Sequence, residues 1–388
     1  MIFNTWVFAL FMTVVFITYW WGIVPSWRRW FLVGAGLVFF AYRYPPHTLL
    51  LLILTIWVYL LGQAIYELKD REACQGIPTE QRQKFLLWLG IAACIGALGY
   101  YKYRLPSTSD IIVPLGISYF TFEFIHYLSD LYAGKIERSS FLDFSVFPIF
   151  FPTLASGPIK RFQGFRESEG EIKSFQGHYL SEGLTRILVG IAKKSIIADS
   201  MAPFSLRLSE PESFQGLALW LGVYAYALKI YFDFSGYSDM AIGCARLLGY
   251  RIPENFNYPY LQSNISEFWR RWHISLSSWL RDYLFIPLGG SRGSVVKTSI
   301  NLLLVMALCG LWHGGTLNYI SWGVYHGLGL VVFRLFRTAL GGKNRLGLAG
   351  RILGILLTFH FVALGWIFFA TPSFEASLMV FKKVLFIK

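Results

Sequence analysis

Apolar residues along the chain gather in long runs separated by short polar stretches. A helix needs about 20 mostly apolar residues to cross a bilayer. Runs that serve lie at 5–24, 30–42 with 47–66, 85–101, 111–132, 143–159, 214–234, 298–312, 317–336 and 349–370. The pattern predicts an all-α, polytopic membrane protein with about eight to eleven membrane segments, re-entrant pieces included. The run at 30–42 is short, and Pro45 and Pro46 separate it from the next, which predicts a broken or tilted helix.

Two runs are interrupted. "FPIFFPTLASGPIKRFQGF" (147–165) is punctuated by Pro148, Pro152, Gly157 and Pro158, and "YFDFSGYSDMAIG" (231–243) carries Asp233, Ser235, Ser238 and Asp239. Irregular polar backbone survives at membrane depth only where protein buries it or water reaches it. Both stretches therefore predict a cavity rather than a bundle that faces lipid throughout. Residues 266–283 predict one amphipathic helix. Trp269, Trp272, Leu276, Trp279 and Tyr283 form an aromatic stripe on it, and Ser266, Arg270, His273, Ser277 and Arg281 form a polar one. Trp favours the membrane interface, so this helix is expected in the boundary layer, with His273 as an anchor to headgroups or a backbone carbonyl. No internal repeat and no linker divides the chain, so one membrane-embedded domain over 1–388 is expected.

Composition agrees with the pattern. Charged residues make up 15% of the 388, and hydrophobic residues 55%, where ordinary soluble domains are roughly 25% charged. A net charge of +13 would suggest nucleic acid in a soluble protein. Here Lys and Arg fall mostly between the apolar runs, as in "SWRRW" (26–30), which is what membrane orientation requires. Lipid, not nucleic acid, is the expected surrounding. No Lys or Arg precedes the first run; Arg28 and Arg29 follow it, and Lys69, Arg71, Arg82 and Lys84 form the next cluster. An N-terminus outside, with both clusters inside, satisfies that rule. The first run lacks a basic leader and exceeds a usual signal core, so it reads as a retained helix. Cys74, Cys94, Cys244 and Cys309 are scattered, with no CxxC pair. They read as small core residues rather than a disulfide framework or a zinc site.

Among seven histidines, His313 stands out. It ends the apolar run "SINLLLVMALCGLW" and is followed by two glycines. Ionisable groups inside a membrane are costly and usually functional, and a neutral imidazole can accept a proton as a general base. A structural hydrogen bond between helices is the alternative. Gly310, Gly314 and Gly315 leave room for another backbone or a slender substrate. His326, thirteen residues on, either lines the same cavity or packs between helices, and packing is the simpler account. His126, with Glu123 and Asp130 on its helix face, reads as a polar contact between helices; His47, His178 and His360 read as loop, boundary or packing residues. HExxH, P-loop and GxGxxG motifs are absent from the sequence.

"NFNYPYLQSNISEFWRRWHISLSSWLRDYLFIPLGGSRG", followed by "GLWHGGTLNYISWGVYHGL", resembles the signature region of the membrane-bound O-acyltransferases, in particular the bacterial alginate O-acetyltransferase type. "PLGISYFTFEFIHYLSDLYAGKIE" (114–137), "FFPTLASGPIKRF" (150–162), "IYFDFSGYSDMAIG" (230–243) and "LGWIFFATPSFEASL" (364–378) extend the resemblance nearly from end to end. It implies a many-helix fold with a central tunnel or funnel, in the bacterial inner (plasma) membrane. It also implies transfer of an acyl group, with acetyl-CoA as donor and no bound cofactor or metal, towards an extracytoplasmic polysaccharide or a partner transferase. The family's catalytic histidine falls on His313 and its second on His273, which would orient the acyl carbonyl or stabilise developing negative charge. Arg270, Ser277, Arg281, Trp312 and His326 are the candidate tunnel or donor contacts, with a solvated basic face as the simpler account of the two arginines. "SGPIKRF" also resembles the branch that passes D-alanine to teichoic acid. A transporter of lipid-linked sugars and a scaffold for an acylating partner are the non-enzymatic alternatives. Alginate-type relatives continue through further hydrophobic segments beyond the point at which this sequence stops.

Overall fold

The computed structural model describes residues 3–42, 45–103, 113–341 and 347–385, which are mainly helical and contain no strand. The chain separates into two compact units, Met1–Val189 with Tyr237–Pro253, and Gly190–Gly236 with Glu254–Lys388.

The first unit holds α1 (Trp6–Ile17), α2 (Arg28–Ala41), α3 (Pro45–Gln75), α4 (Glu80–Tyr103), α5 (Ile117–Tyr132), α6 (Phe141–Ile149), α7 (Phe151–Leu154), α8 (Phe162–Gly170) and most of α9 (Gly177–Ile191). The second holds α10 (Asp199–Ser205) and the start of α11 (Gly216–Leu247), whose end belongs to the first. It continues with α12 (Ile265–Arg271), α13 (Ile274–Leu280), α14 (Val295–His313), α15 (Leu317–Ala339), α16 (Leu348–Gly365), α17 (Ile367–Ala370) and α18 (Phe374–Leu385). Several starts follow from capping side chains. Thr5, Ser140, Asn264 and Ser294 accept from the backbone N–H three residues on, at 3.3, 3.1, 2.9 and 3.1 Å, satisfying donors that a helix start leaves unpaired.

Among the described residues, α3, α4, α11, α14 and the α16–α17 stretch are long and apolar enough to cross a membrane. Only 22–39% of each one's most apolar window is buried by protein. Leu60, Trp88, Ile300 and Leu357 are exposed on these helices, and so much outward apolar surface is stable only against hydrocarbon. The segment from Trp6 to Gly22 is apolar but shorter. α15 covers the predicted run at 317–336, but with Asn318, Ser321 and His326 in its first half it is less apolar than those five.

Two interrupted runs turn out differently. Residues 143–159 form no single span. α6 and α7 are divided at Phe150, and residues 144–155 are all buried. Pro152 has no N–H to offer the carbonyl four residues back, so the helix cannot run through. The stretch 231–243, expected to be irregular, lies inside the unbroken α11. Its carboxylates are met from the side instead. Lys194 pairs with Asp233 at 2.7 Å within the second unit, and Arg186 with Asp239 at 2.6 Å within the first. With its charges matched, the backbone has no reason to break.

The first unit's core is aromatic, with Phe39, Phe120, Phe124, Phe144, Phe147, Phe150 and Phe151 fully buried. One ion pair lies inside it, Lys160 Nζ to Glu123 Oε1 at 2.7 Å, with the ammonium 4.5 Å from the centre of the Phe147 ring. In the second unit, small residues let α14 and α15 approach closely. A Cβ at Gly310 would collide with the Tyr319 carbonyl, and one at Gly323 with that of Met306. Gly310 thus admits a neighbouring backbone rather than a substrate. Three cysteines are buried as expected, but Cys74 is exposed at the end of α3.

Candidate active site

The helix expected over 266–283 is in fact two. α12 ends at Arg271, Trp272 is extended, and His273 takes a left-handed backbone (φ +43°) before α13 begins at Ile274; beyond Leu280 the chain becomes a π-helical turn. A non-glycine residue in that region carries strain and persists only when its surroundings enforce it. Here Asn255 enforces it. Its backbone carbonyl accepts from Ile274 N–H at 2.9 Å. Its Oδ1 accepts from Ser275 N–H at 3.3 Å, from the Ser275 hydroxyl at 2.6 Å, and lies 3.3 Å from His273 Nδ1. α13 has no capping side chain of its own. Asn255 supplies the acceptors for its first N–H groups from about twenty residues away.

The break moves His273 off the polar stripe. Its residue exposure is 2%, whereas Arg270 is exposed; the spacing-based reading of an interfacial anchor assumed a continuous helix and fails with it. The aromatic stripe turns inward as well, with Trp269, Trp272, Leu276 and Trp279 all buried.

His273 and His313 line one small cavity of about 50 Å³ in the second unit. Trp269, Trp272, Trp322 and Trp366 line it, with Phe234 and Phe369 beside them. Phe234 meets the His273 ring edge-to-face at 4.7 Å. The His313 ring is 4.6 Å from Trp312, 5.1 Å from Phe369 and 5.2 Å from Trp322. As the last residue of α14, His313 is only partly buried. His273 Nε2 and the indole nitrogens of Trp269 and Trp322 are buried without a protein partner. Buried polar atoms are normally bonded, so three such atoms on residues of one cavity wall mark it as suited to a polar ligand.

The other sequence candidates fall outside this wall. Trp312 stands beside His313 and 6.5 Å from the His273 ring. The Ser277 hydroxyl donates to the Trp272 carbonyl at 3.0 Å. Arg270 and Arg281 are exposed and paired with their own neighbours, Glu267 at 3.0 Å and Asp282 at 2.8 Å, a solvated basic face. His326 is fully buried behind the wall, 4.9 Å from the Trp322 ring and 5.3 Å from Trp269; neither of its ring nitrogens has a protein partner, but it is packed among aromatic rings and does not line the cavity. His126 accepts from the backbone N–H of Phe162 at 3.0 Å, and His360 contacts the Tyr224 hydroxyl at 3.0 Å; both act as polar contacts between segments. Sequence reasoning missed Trp322, Trp366, Phe234, Phe369 and Asn255. Each sits in a stretch that had been singled out as a motif, but nothing local marks which of a motif's aromatic residues turn inward.

Comparison with known proteins agrees with this architecture. The model of the membrane-bound O-acyltransferase family matches residues 37–343. The probable alginate O-acetylase AlgI of Pseudomonas aeruginosa is 37% identical, over 97% of this chain and 73% of its own. The peptidoglycan O-acetyltransferase of Helicobacter pylori is 32% identical over 98% and 79%, and the teichoic acid D-alanyltransferase of Bacillus subtilis 33% over 69% and 71%. The chain belongs to the membrane-bound O-acyltransferase family and is a multi-pass membrane enzyme that transfers acyl groups.

Proposed function

We propose that the protein moves an acetyl group from acetyl-CoA to a hydroxyl of an extracytoplasmic polysaccharide, or of a partner transferase that serves one, across the bacterial inner membrane. The observation that carries this is the pair His273 and His313 lining one aromatic-walled cavity. Similarity over nearly the whole chain to an alginate O-acetylase and a peptidoglycan O-acetyltransferase supports the acetyl group and the polysaccharide. The size of the cavity supports the same choice. About 50 Å³ holds a few water-sized groups, since one water needs about 10–15 Å³; a two-carbon acyl unit suits it and a long fatty chain does not. Because the sequences of the two units interleave, we treat residues 1–388 as one membrane-embedded acyltransferase domain.

In the reaction, His313 takes the proton of the acceptor hydroxyl as its oxygen attacks the thioester carbonyl carbon. The carbon–sulfur bond then breaks, and the proton passes to the departing thiolate, leaving an ester and free CoA thiol. A positioned base contributes about 10²–10⁴-fold. CoA is large and charged, so a passage that admits only its reactive end would let donor and acceptor meet without either crossing the hydrocarbon.

The test is transfer of labelled acetyl from acetyl-CoA by purified protein to alginate, to peptidoglycan fragments and to sugar-bearing acceptors. His313→Ala should abolish transfer while the protein remains folded in detergent; full activity in that variant removes His313 from the mechanism. A second reading, D-alanyl transfer, draws on the teichoic acid D-alanyltransferase, though that similarity covers only 69% of the chain. It predicts turnover with an activated D-alanyl donor and none with acetyl-CoA.

A further inference from the structure

We infer that Asn255 is a positioning residue for the active site: it locks His273 in the tautomer that carries its proton on Nδ1, leaving Nε2 as a hydrogen-bond acceptor for a hydroxyl of the substrate. This rests on the reading of His273 as part of the acyl-transfer site.

Three steps lead there. The orientation of the Asn255 amide follows from Ser275, whose backbone N–H lies 3.3 Å from the amide atom in question. A backbone N–H can only donate, so that atom is oxygen and not nitrogen. An oxygen that already accepts from Ser275 N–H and the Ser275 hydroxyl has no proton to offer His273 Nδ1, 3.3 Å away. The shared proton therefore sits on Nδ1. In the neutral imidazole one nitrogen donates and the other accepts, so Nε2 carries a lone pair. Nε2 is buried and has no protein partner, and its ring lines the cavity.

The consequence alters the division of labour. A neutral His273 held this way cannot donate to the oxyanion of a tetrahedral intermediate, the role that resemblance alone made natural for it. It instead accepts from a second hydroxyl of the acceptor substrate and holds it in place, leaving the proton of the attacking hydroxyl to His313. Asn255 also caps α13, so loss of activity alone would not separate the two roles.

The experiment reads the tautomer directly, from the ring ¹⁵N shifts of histidine-labelled full-length protein in detergent, with His273→Ala identifying the signal. The wild type should show a protonated Nδ1 and an unprotonated Nε2. Asn255→Asp keeps an acceptor and should keep that pattern. Asn255→Leu should move the signal towards the other tautomer and lower turnover about 10–100-fold, as loss of an orienting partner does for metal-bound histidines. Ser275→Ala removes a donor from the same oxygen and should leave the tautomer as it is. A wild-type signal with the proton on Nε2 overturns the inference, as does an Asn255→Leu protein that folds and keeps the Nδ1–H pattern. If Asn255→Leu does not fold, the wild-type and Asn255→Asp spectra still decide. Undiminished transfer by His273→Ala would instead overturn the assignment of His273 to the site and leave the tautomer result standing.

Discussion

The two units treat buried nitrogen in opposite ways. In the first, Lys160 and Glu123 are 1% and 4% exposed and meet each other at 2.7 Å, and the neighbouring His126 accepts from a backbone N–H. In the second, His273 has one nitrogen held by Asn255 and the other without a protein partner, and the indoles of Trp269 and Trp322 bring two further unmatched N–H groups to the same wall. Burying a charge or a polar group costs free energy that a partner offsets. A matched group thus belongs to the architecture, whereas an unmatched one beside a cavity points to a ligand. Both regions contain a histidine three or four residues from another polar side chain, so residue type does not separate them; the partners do.

If this contrast holds, the largest effect comes from the second unit and appears in rate alone. His273→Ala should lower turnover by about 10²-fold, the cost of misplacing a reacting group, while thermal unfolding in detergent changes little. A large drop in melting temperature with intact specific activity would reverse the assignment. The next effect lies in the first unit and appears in stability. Glu123→Leu leaves the Lys160 ammonium buried and unpaired, which costs about 3–5 kcal/mol. Glu123→Leu combined with Lys160→Met should recover most of that loss, and equal destabilisation by the single and double variants would show that the pair is not the unit that matters. Closer to the site, Gly323→Ala forces α14 and α15 apart, and overpacking of this kind costs about 1–3 kcal/mol; unchanged melting would contradict the close approach. The smallest effect is expected at His326. His326→Leu should stay within about 1.5 kcal/mol of the wild type and lose far less turnover than His273→Ala. A loss as severe as that at His273 would make His326 a third functional histidine and weaken the contrast.

Much of this protein was legible one segment at a time. The apolar runs at 47–66, 85–101, 214–234, 298–312 and 349–370 correspond to the five helices able, among the described residues, to span a membrane, because length and apolar character are local properties. His313 could be picked out for the same reason, since its peculiarity, a titratable ring ending an apolar run, lies in its own neighbours. The run at 143–159 and the helix at 266–283 misled for a shared cause. Periodicity describes what a segment does if its backbone continues, and in both places it does not. At 150 the interruption could be anticipated from the prolines. At 273 it could not, because the groups that stabilise the break come from Asn255, outside the segment.

The site itself is a product of packing. Its wall draws on positions 230 to 369, and no spacing rule links an aromatic residue on α11 with one on α17. The same holds for Glu123 and Lys160, 37 residues apart, whose charges were visible in the chain while their pairing was not. Hydrophobicity accumulates along a stretch of sequence and is readable there. Hydrogen bonds, ion pairs and cavities are relations between residues that meet only after folding, and it is they that make one buried histidine a strut and another a working part.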